Sequence, residues 1–294
     1  MDLDTFIVTT FCWIDDAMRT LLPPRLRQRG PHPILADSEV LTIEVVGEYL
    51  GLDQDHALYT FFRRHYPHFF PALARVHRTT FTRQATNLWR VKERLWQHLV
   101  AEIPHDPTLA LVDSFPEPVC QFARAYRCRR FRGEAAYGKD TLVRQTFYGF
   151  RIHVRLAWPG LITRFSVAPA NVSELAVVPD LAQGMTGLLI GDRNYWAPTL
   201  REDLAQTGVA LLAPYRSAKH DPCPTSSAVL SRVRYRIDTV FGQLVDRYRI
   251  KRVWARDTWH LHSRLLRKVL SHSLAVLFTH LQGNPPLQLA RLLL

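Results

Sequence analysis

From Asp2 to about Ile103 the apolar residues recur at helical spacing: Phe6, Ile7, Phe11, Ile14 and Met18 make one stripe, and Val40, Ile43, Val46 and Leu50 make another. The segment Pro23 to Pro33, rich in proline, arginine and glycine, separates these two helices, and Asp37 is placed to cap the second. Further helices are predicted near Gln54 to Tyr66 and near Thr80 to Glu102. After His105-Asp106-Pro107 the pattern changes. LALVDSF is a short apolar run that predicts a buried strand with Asp113 at its mouth. Gln145 to Trp158 alternates, with Tyr148, Phe150, Ile152, Val154 and Leu156 on one face and Phe147, Arg151, His153 and Arg155 on the other, which predicts a half-buried strand whose polar side carries His153. ITRFSVAPAN predicts another strand, and Asn171 with Glu174 three residues on reads as a capping pair for a helix toward Ala182. GLLIGDRNYW predicts a strand ending at Asp192, Thr199 to Gln206 a helix closed by Gly208, VALLAP a fifth strand, and Ala228 to about Arg249 one long helix.

Composition narrows the partner. Hydrophobic residues are 47% and charged residues 22% of the chain, enough apolar material for a sizeable core and against wholesale disorder. Lys and Arg number 38 against 26 Asp and Glu, a net charge of +12 that favours a polyanion, with nucleic acid first among the candidates. Cys12, Cys120, Cys128 and Cys223 form no Cys-x-x-Cys pair and suit a reducing cytoplasm better than a zinc module or a disulfide framework. Asp2 and Asp4 stand where a signal peptide needs basic residues, and no run of about 18 apolar residues occurs, so neither export nor a membrane partner is expected.

Two carboxylates end apolar strands. If those strands are neighbours, Asp113 and Asp192 raise each other's pKa, and desolvation adds to the cost, so the pair calls for divalent cations such as Mg2+ or Mn2+. Asp238, in RYRIDTVFGQL on the long helix, is the third candidate ligand, with Ile237, Val240, Phe241 and Leu244 packing that helix down. Taken singly, a strand-end aspartate also serves as a turn or cap residue, and Asp238 can pair with Arg234 four residues earlier. Ser114 beside Asp113 lacks any Gly-x-Ser-x-Gly context for a serine hydrolase. Basic clusters at Arg25 to Arg29, at Arg124, Arg127, Arg129, Arg130 and Arg132, and at Arg247 to Arg256 read as phosphate-contacting surfaces, with Tyr126, Phe131, Trp254 and Trp259 interleaved for packing or stacking.

The phrases DSFPEPVC, EAAYGKD, FYGFRIHV, APANVSE, GDRNYW and RIDTVFGQL, in this order, resemble the DDE transposases of bacterial insertion sequences, and most of all the insertion-sequence 982 family. The resemblance spans essentially the whole chain. It implies an α/β protein: an RNase H-like catalytic domain over 105–294, with a mixed five-stranded sheet flanked by helices and ending in C-terminal helices, preceded by an all-helical, DNA-recognising domain over 1–104. It further implies a cytoplasmic, nucleoid-associated enzyme that works as a homodimer on double-stranded DNA, both the element's terminal repeats and its target, with two Mg2+ ions that Mn2+ replaces. The first two catalytic acids carry over to Asp113 in VDSFP and Asp192 in GDRNY; the third position holds Glu in the family and Asp238 here. Asp238 is shorter by one methylene, which raises two alternatives: a transposase-derived DNA-binding protein with weak or no catalysis, or a nuclease of the same fold. Of a related pattern of Tyr, Arg, acid and Lys on this helix only Arg234 and the acid are met, since Ser231 and Val245 hold the other places, which favours the named family over its better-known relatives; Arg234 becomes a phosphate-contact candidate. His153 matches the family's FYGFxxH phrase and is expected near the metals or the DNA.

Overall fold

The computed structural model describes residues 1–23, 26–27, 30–140 and 143–293. Arg25 and Arg29 of the first basic cluster lie outside the described residues. In chain order the elements are α1 (Leu3–Leu21), α2 (Asp37–Tyr49), α3 (Asp55–His65), α4 (Arg78–Asn87), α5 (Trp89–Glu102), β1 (Asp106–Pro118), β2 (Ala136–Asp140), β3 (Gln145–Trp158), β4 (Leu161–Pro169), α6 (Glu174–Ala182), β5 (Gly187–Ile190), α7 (Pro198–Ala205), β6 (Val209–Leu212), α8 (Pro224–Val233), α9 (Tyr235–Asp246) and α10 (Thr258–Leu281). They form two compact units, Met1–Ile103 with Gln243–Leu294, and Pro104–Gly242.

The first unit is helical, as the apolar spacing predicts. Two of its helices lack a polar face: α2 is buried from Val40 to Tyr49, and α10 from Leu265 to Thr279. Carboxylates trapped on such a helix need partners, because an unpaired buried charge is very costly. Glu44 receives Lys92 of α5 at 2.7 Å, Glu48 receives Lys268 at 2.7 Å and Arg267 at 2.5 Å, and Arg267 also reaches Asp55 at 2.7 Å. The segment from Gln243 on clusters with the N-terminal helices, and there α10 is buried around its whole circumference from Leu265 to Thr279. Two local expectations change. Ala36 rather than Asp37 caps α2, its N–H donating to Glu39, while Asp37 takes a bidentate bond from Arg27 at 2.7 and 2.8 Å. The helix expected over Thr80 to Glu102 is two, α4 and α5, broken at Leu88.

The second unit is a mixed sheet. β3 is antiparallel to β1 along one edge, and on its other edge pairs β2 through Gln145–Gly149 and β4 through Phe150–Ala157. β5 runs parallel to β1, and β6 parallel to β5. An antiparallel meander continued by two parallel strands, each reached through a helix, is the RNase H-like arrangement expected. β2 is an addition to the five strands expected, formed by the AYGKD segment. β3 is not half-buried: as a central strand it is covered on both faces, so the alternation reports two kinds of buried environment. One face, bearing Ala110, Val112 and Ala168, packs under α6 with Val177, Val178 and Leu181. On the opposite face Phe115 meets Phe241 of α9 edge-on, their ring centroids 4.9 Å apart. The long final helix expected is interrupted at Arg234, which separates α8 from α9.

Candidate active site

The site is built on β1 and just beyond β5; Asp113, expected at the mouth of its strand, lies inside β1, which runs on to Pro118 because it stays paired with β3. Leu111 of β1 pairs with Ile190 of β5 in parallel register. Asp113 and Asp192 each lie two residues further on in extended backbone, Asp113 within β1 and Asp192 just past the end of β5, so the strand periodicity directs both to the same face. Gly191 is required between them: a Cβ there would stand 2.5 Å from the ring of Tyr195, which folds back against the end of β5.

Asp113 is the most perturbed acid of the group. Burial pushes its carboxyl up to about 6 against the opposing pull of the Arg234 guanidinium, and the charges of Asp192 and Glu174 push in the same direction as burial. Arg234 Nη2 donates to Asp113 Oδ2 at 2.8 Å, and the Ser114 N–H donates to Oδ1 at 2.8 Å. Asp192 caps the short turn Arg193–Tyr195, accepting the Asn194 N–H at 2.8 Å.

A third carboxylate reaches this corner from α6. The residue that caps α6 is Ser173, and Glu174 does not cap. Glu174 accepts from the Ser114 hydroxyl at 2.6 Å and from Arg151 Nη1 at 2.9 Å. The pairing of Asn171 with Glu174 inferred from spacing therefore fails, because the helix opens three residues after Asn171 and leaves the glutamate free to turn toward the sheet. A sequence signal for this placement did exist: Glu174 opens the helix that follows the meander, next in space to β1, but a cap-like spacing hid it.

Tyr195 completes the corner. Its side chain is 1% exposed, yet its hydroxyl has no hydrogen-bond partner among the described residues. Burial, and then the charges of Glu174, Asp113 and Asp192, raise its pKa well above the ordinary tyrosine value. It thus keeps its proton beside three carboxylates.

The other sequence candidates are placed as follows. Asp238 stands exposed on α9, one helical turn beyond Arg234; the cation that the sequence offered it is bound to Asp113 instead. Arg234, proposed from sequence as a phosphate contact, is likewise committed to Asp113. His153 is a correction: it is fully buried, neither ring nitrogen has a partner, and burial, then Arg151, depress its pKa to about 4. A neutral, enclosed imidazole cannot touch DNA. Arg124, Arg127, Arg129, Arg130 and Arg132 are all exposed, on the segment between β1 and β2. Tyr126 is exposed beside them with Arg127 over its ring at 5.5 Å, whereas Phe131 is buried. In the first unit Trp254 and Trp259 are exposed, and Trp259 packs edge-on against Trp89.

Among the described residues no three His, Cys, Asp or Glu side chains stand close enough to hold a metal ion unaided. The donor chemistry suits a hard divalent cation: Asp113 and Asp192 are carboxylates of neighbouring parallel strands, the charge of Asp192 raises the proton affinity of Asp113, and a guanidinium already supplies positive charge to Asp113. Such a cation takes oxygen ligands and keeps part of its water shell. Among the described residues no helix is long and apolar enough to cross a membrane.

No curated protein matches the chain. Among solved structures it resembles the cryo-EM structure of the piggyBac transposase synaptic complex with hairpin DNA, at 9% identity and a TM-score of 0.48, over 98% of this chain and 76% of that one. The family model described as the transposase DDE domain matches residues 105–258, which take in the whole sheet, Asp113, Asp192 and Asp238. With more than half of its length matched by that model, the chain belongs to the DDE-domain transposases.

Proposed function

We propose that this protein is an insertion-sequence transposase, nearest to the insertion-sequence 982 family of bacteria, that cleaves DNA at the terminal inverted repeats of its element and joins the ends to target DNA. The observation that carries the reading is the pair Asp113, within β1, and Asp192, just past the neighbouring parallel strand β5, with burial pushing the Asp113 carboxyl up to about 6. DDE transposase domains generally use divalent metal ions, and here Asp113 and Asp192 would hold two Mg2+ ions, or Mn2+ in their place, with Asp238 as the third acid. When bound, such ions polarise both the attacking and the leaving oxygen of the phosphodiester. The remaining work falls to the chain. Arg234 keeps Asp113 charged until a cation arrives, and Asp238 swings in from the exposed side of α9.

DNA is gripped by Arg124, Arg127, Arg129, Arg130 and Arg132, and its ends are recognised by the helical unit, in a homodimer acting on double-stranded DNA in the bacterial cytoplasm. One observation favours a second reading: Asp238 is short and exposed on α9, as suits a transposase-derived DNA-binding protein with little catalysis. The test is Mn2+-dependent cleavage and strand transfer on DNA carrying the element's ends. Wild type should cut and join, and Asp113→Asn should do neither. Silence from wild type with activity from Asp238→Glu establishes the inert reading, and cleavage without joining makes the protein a nuclease.

A further inference from the structure

The helical unit carries positive charge that its own folding leaves unanswered. On α4, Thr79, Thr82, Arg83 and Thr86 lie three and four residues apart and so share one face, which lines a cleft of about 520 Å3, while Phe81 and Ala85 pack inward. That cleft shares Arg78, Thr82, Arg256 and His260 as walls with a second one of about 770 Å3. Trp259 stands in the first and Trp254 in the second, 48% and 57% exposed. The two clefts run together as one trough with an indole in each half, and every residue of it belongs to the helical unit.

The acids that line the trough already have partners. Asp55 takes Arg264 at 2.8 Å and Arg267 at 2.7 Å, Asp53 has Arg249 at 3.8 Å, and Asp257 caps α10 and accepts from the His260 N–H. Arg78, Arg83 and Arg256 are exposed and, among the described residues, make no ion pair and no side-chain hydrogen bond. Three uncommitted guanidiniums along one trough attract a polyanion. Trp254 narrows its form. The backbone there is left-handed, at φ 54, a conformation that is costly for a bulky side chain, and it holds a large apolar ring out in solvent. Exposed indoles flanked by guanidiniums match the flat face of a base with its phosphates alongside. Within a closed duplex those faces are covered by the adjacent base pairs, so the matching strand is an unpaired one.

We propose that this trough binds a short unpaired stretch of DNA, its bases stacked on Trp254 and Trp259 and its phosphates held by Arg78, Arg83 and Arg256. The inference rests on the reading above of a protein that acts on DNA, and it gives the helical unit a task different from the duplex grip proposed for the Arg124 to Arg132 segment.

The test is fluorescence anisotropy of the full-length protein with labelled oligothymidylate, with a blunt duplex of the same length, and with that duplex carrying a single-stranded tail. Wild type should bind the tailed duplex about tenfold more tightly than the blunt one, and oligothymidylate should quench its tryptophan emission. Glycine adopts φ 54 without strain, so Trp254→Gly should melt at or above the wild-type temperature. Its affinity for oligothymidylate should nevertheless fall about tenfold, with that for blunt duplex kept within about twofold. Changing Arg78, Arg83 and Arg256 to Gln together should lower the slope of log K against log salt for oligothymidylate by about 0.7 per lost contact. Unchanged oligothymidylate affinity in Trp254→Gly, or an unchanged slope in the arginine variant, overturns the proposal. So does an equal loss on blunt duplex, which would make the trough a duplex surface. A wild-type protein that binds duplex but not the unpaired strand overturns the proposal and leaves the DNA reading intact, whereas one that binds neither sinks both.

Discussion

Arg234 donates to Asp113 at 2.8 Å across 121 residues of chain, joining the break between α8 and α9 to the middle of β1. That bond sets the charge of the acid. Burial and the neighbouring carboxylates favour the protonated form of Asp113, and the guanidinium opposes them.

Removing the guanidinium should therefore carry a pH signature. An acid whose pKa is raised by folding binds its proton more tightly in the native state, so its contribution to stability falls as pH rises from about 4 through 6 and stays low above. Arg234→Gln extends that window upward. We expect a loss of about 1–3 kcal/mol at pH 8 that shrinks at pH 5, read by urea denaturation. An equal loss at both pH values would mean that Arg234 acts by packing alone.

His153 gives the opposite slope. The unfolded histidine takes a proton near pH 6.5, the buried one only near 4, so stability is lost as pH falls through that interval, by up to about 3 kcal/mol. His153→Leu should flatten the stability profile between pH 6.5 and 4 and leave DNA affinity within twofold of wild type. A large fall in affinity in a protein of normal stability would restore the role in DNA binding that the sequence suggested.

The buried charges of the helical unit should be strongly coupled. Lys268→Met strands the Glu48 carboxylate beside a single remaining cation, and about 3–5 kcal/mol of stability should go with it. Adding Glu48→Gln to Lys268→Met should recover part of that loss, measured as the interaction energy of a double-mutant cycle. Additive losses would contradict the coupling.

The exposed arginines between β1 and β2 are expected to bind phosphate without regard to sequence. Changing Arg124, Arg127, Arg129, Arg130 and Arg132 to Gln together should weaken unrelated duplexes and element ends alike, and reduce the slope of log K against log salt by about 0.9 per lost contact. A fluorescence titration at several salt concentrations reads both, and an unchanged slope excludes the segment.

Much of the fold is written in local pattern. LALVDSF and GLLIGD are apolar runs that only a central strand accommodates, and their terminal aspartates follow from the run's end. What local pattern could not supply was the environment on each side of a strand. His153 occupies a position that reads as polar but lies on the sheet face that α6 covers, together with Ser114 and Val112. Glu174 reads as a cap because Asn171 stands three residues earlier, and only the sheet shows Ser114 and Arg151 waiting for it. The same holds for Tyr195, whose ring is legible as core while the isolation of its hydroxyl is a property of the assembled corner. The burial of α10 is hidden by connectivity, since nothing in adjacent sequence tells a helix that its partners are more than two hundred residues behind it.

That distance has a consequence for synthesis. Glu48 leaves the ribosome 219 residues ahead of Arg267, so until α10 is made it has neither of the cations, Arg267 and Lys268, that meet it in the folded unit. The helical unit closes only when the final helix emerges, whereas every strand of the sheet is already available by then. Newly made protein thus completes the charged core of its helical unit only after the strands of the sheet have been made.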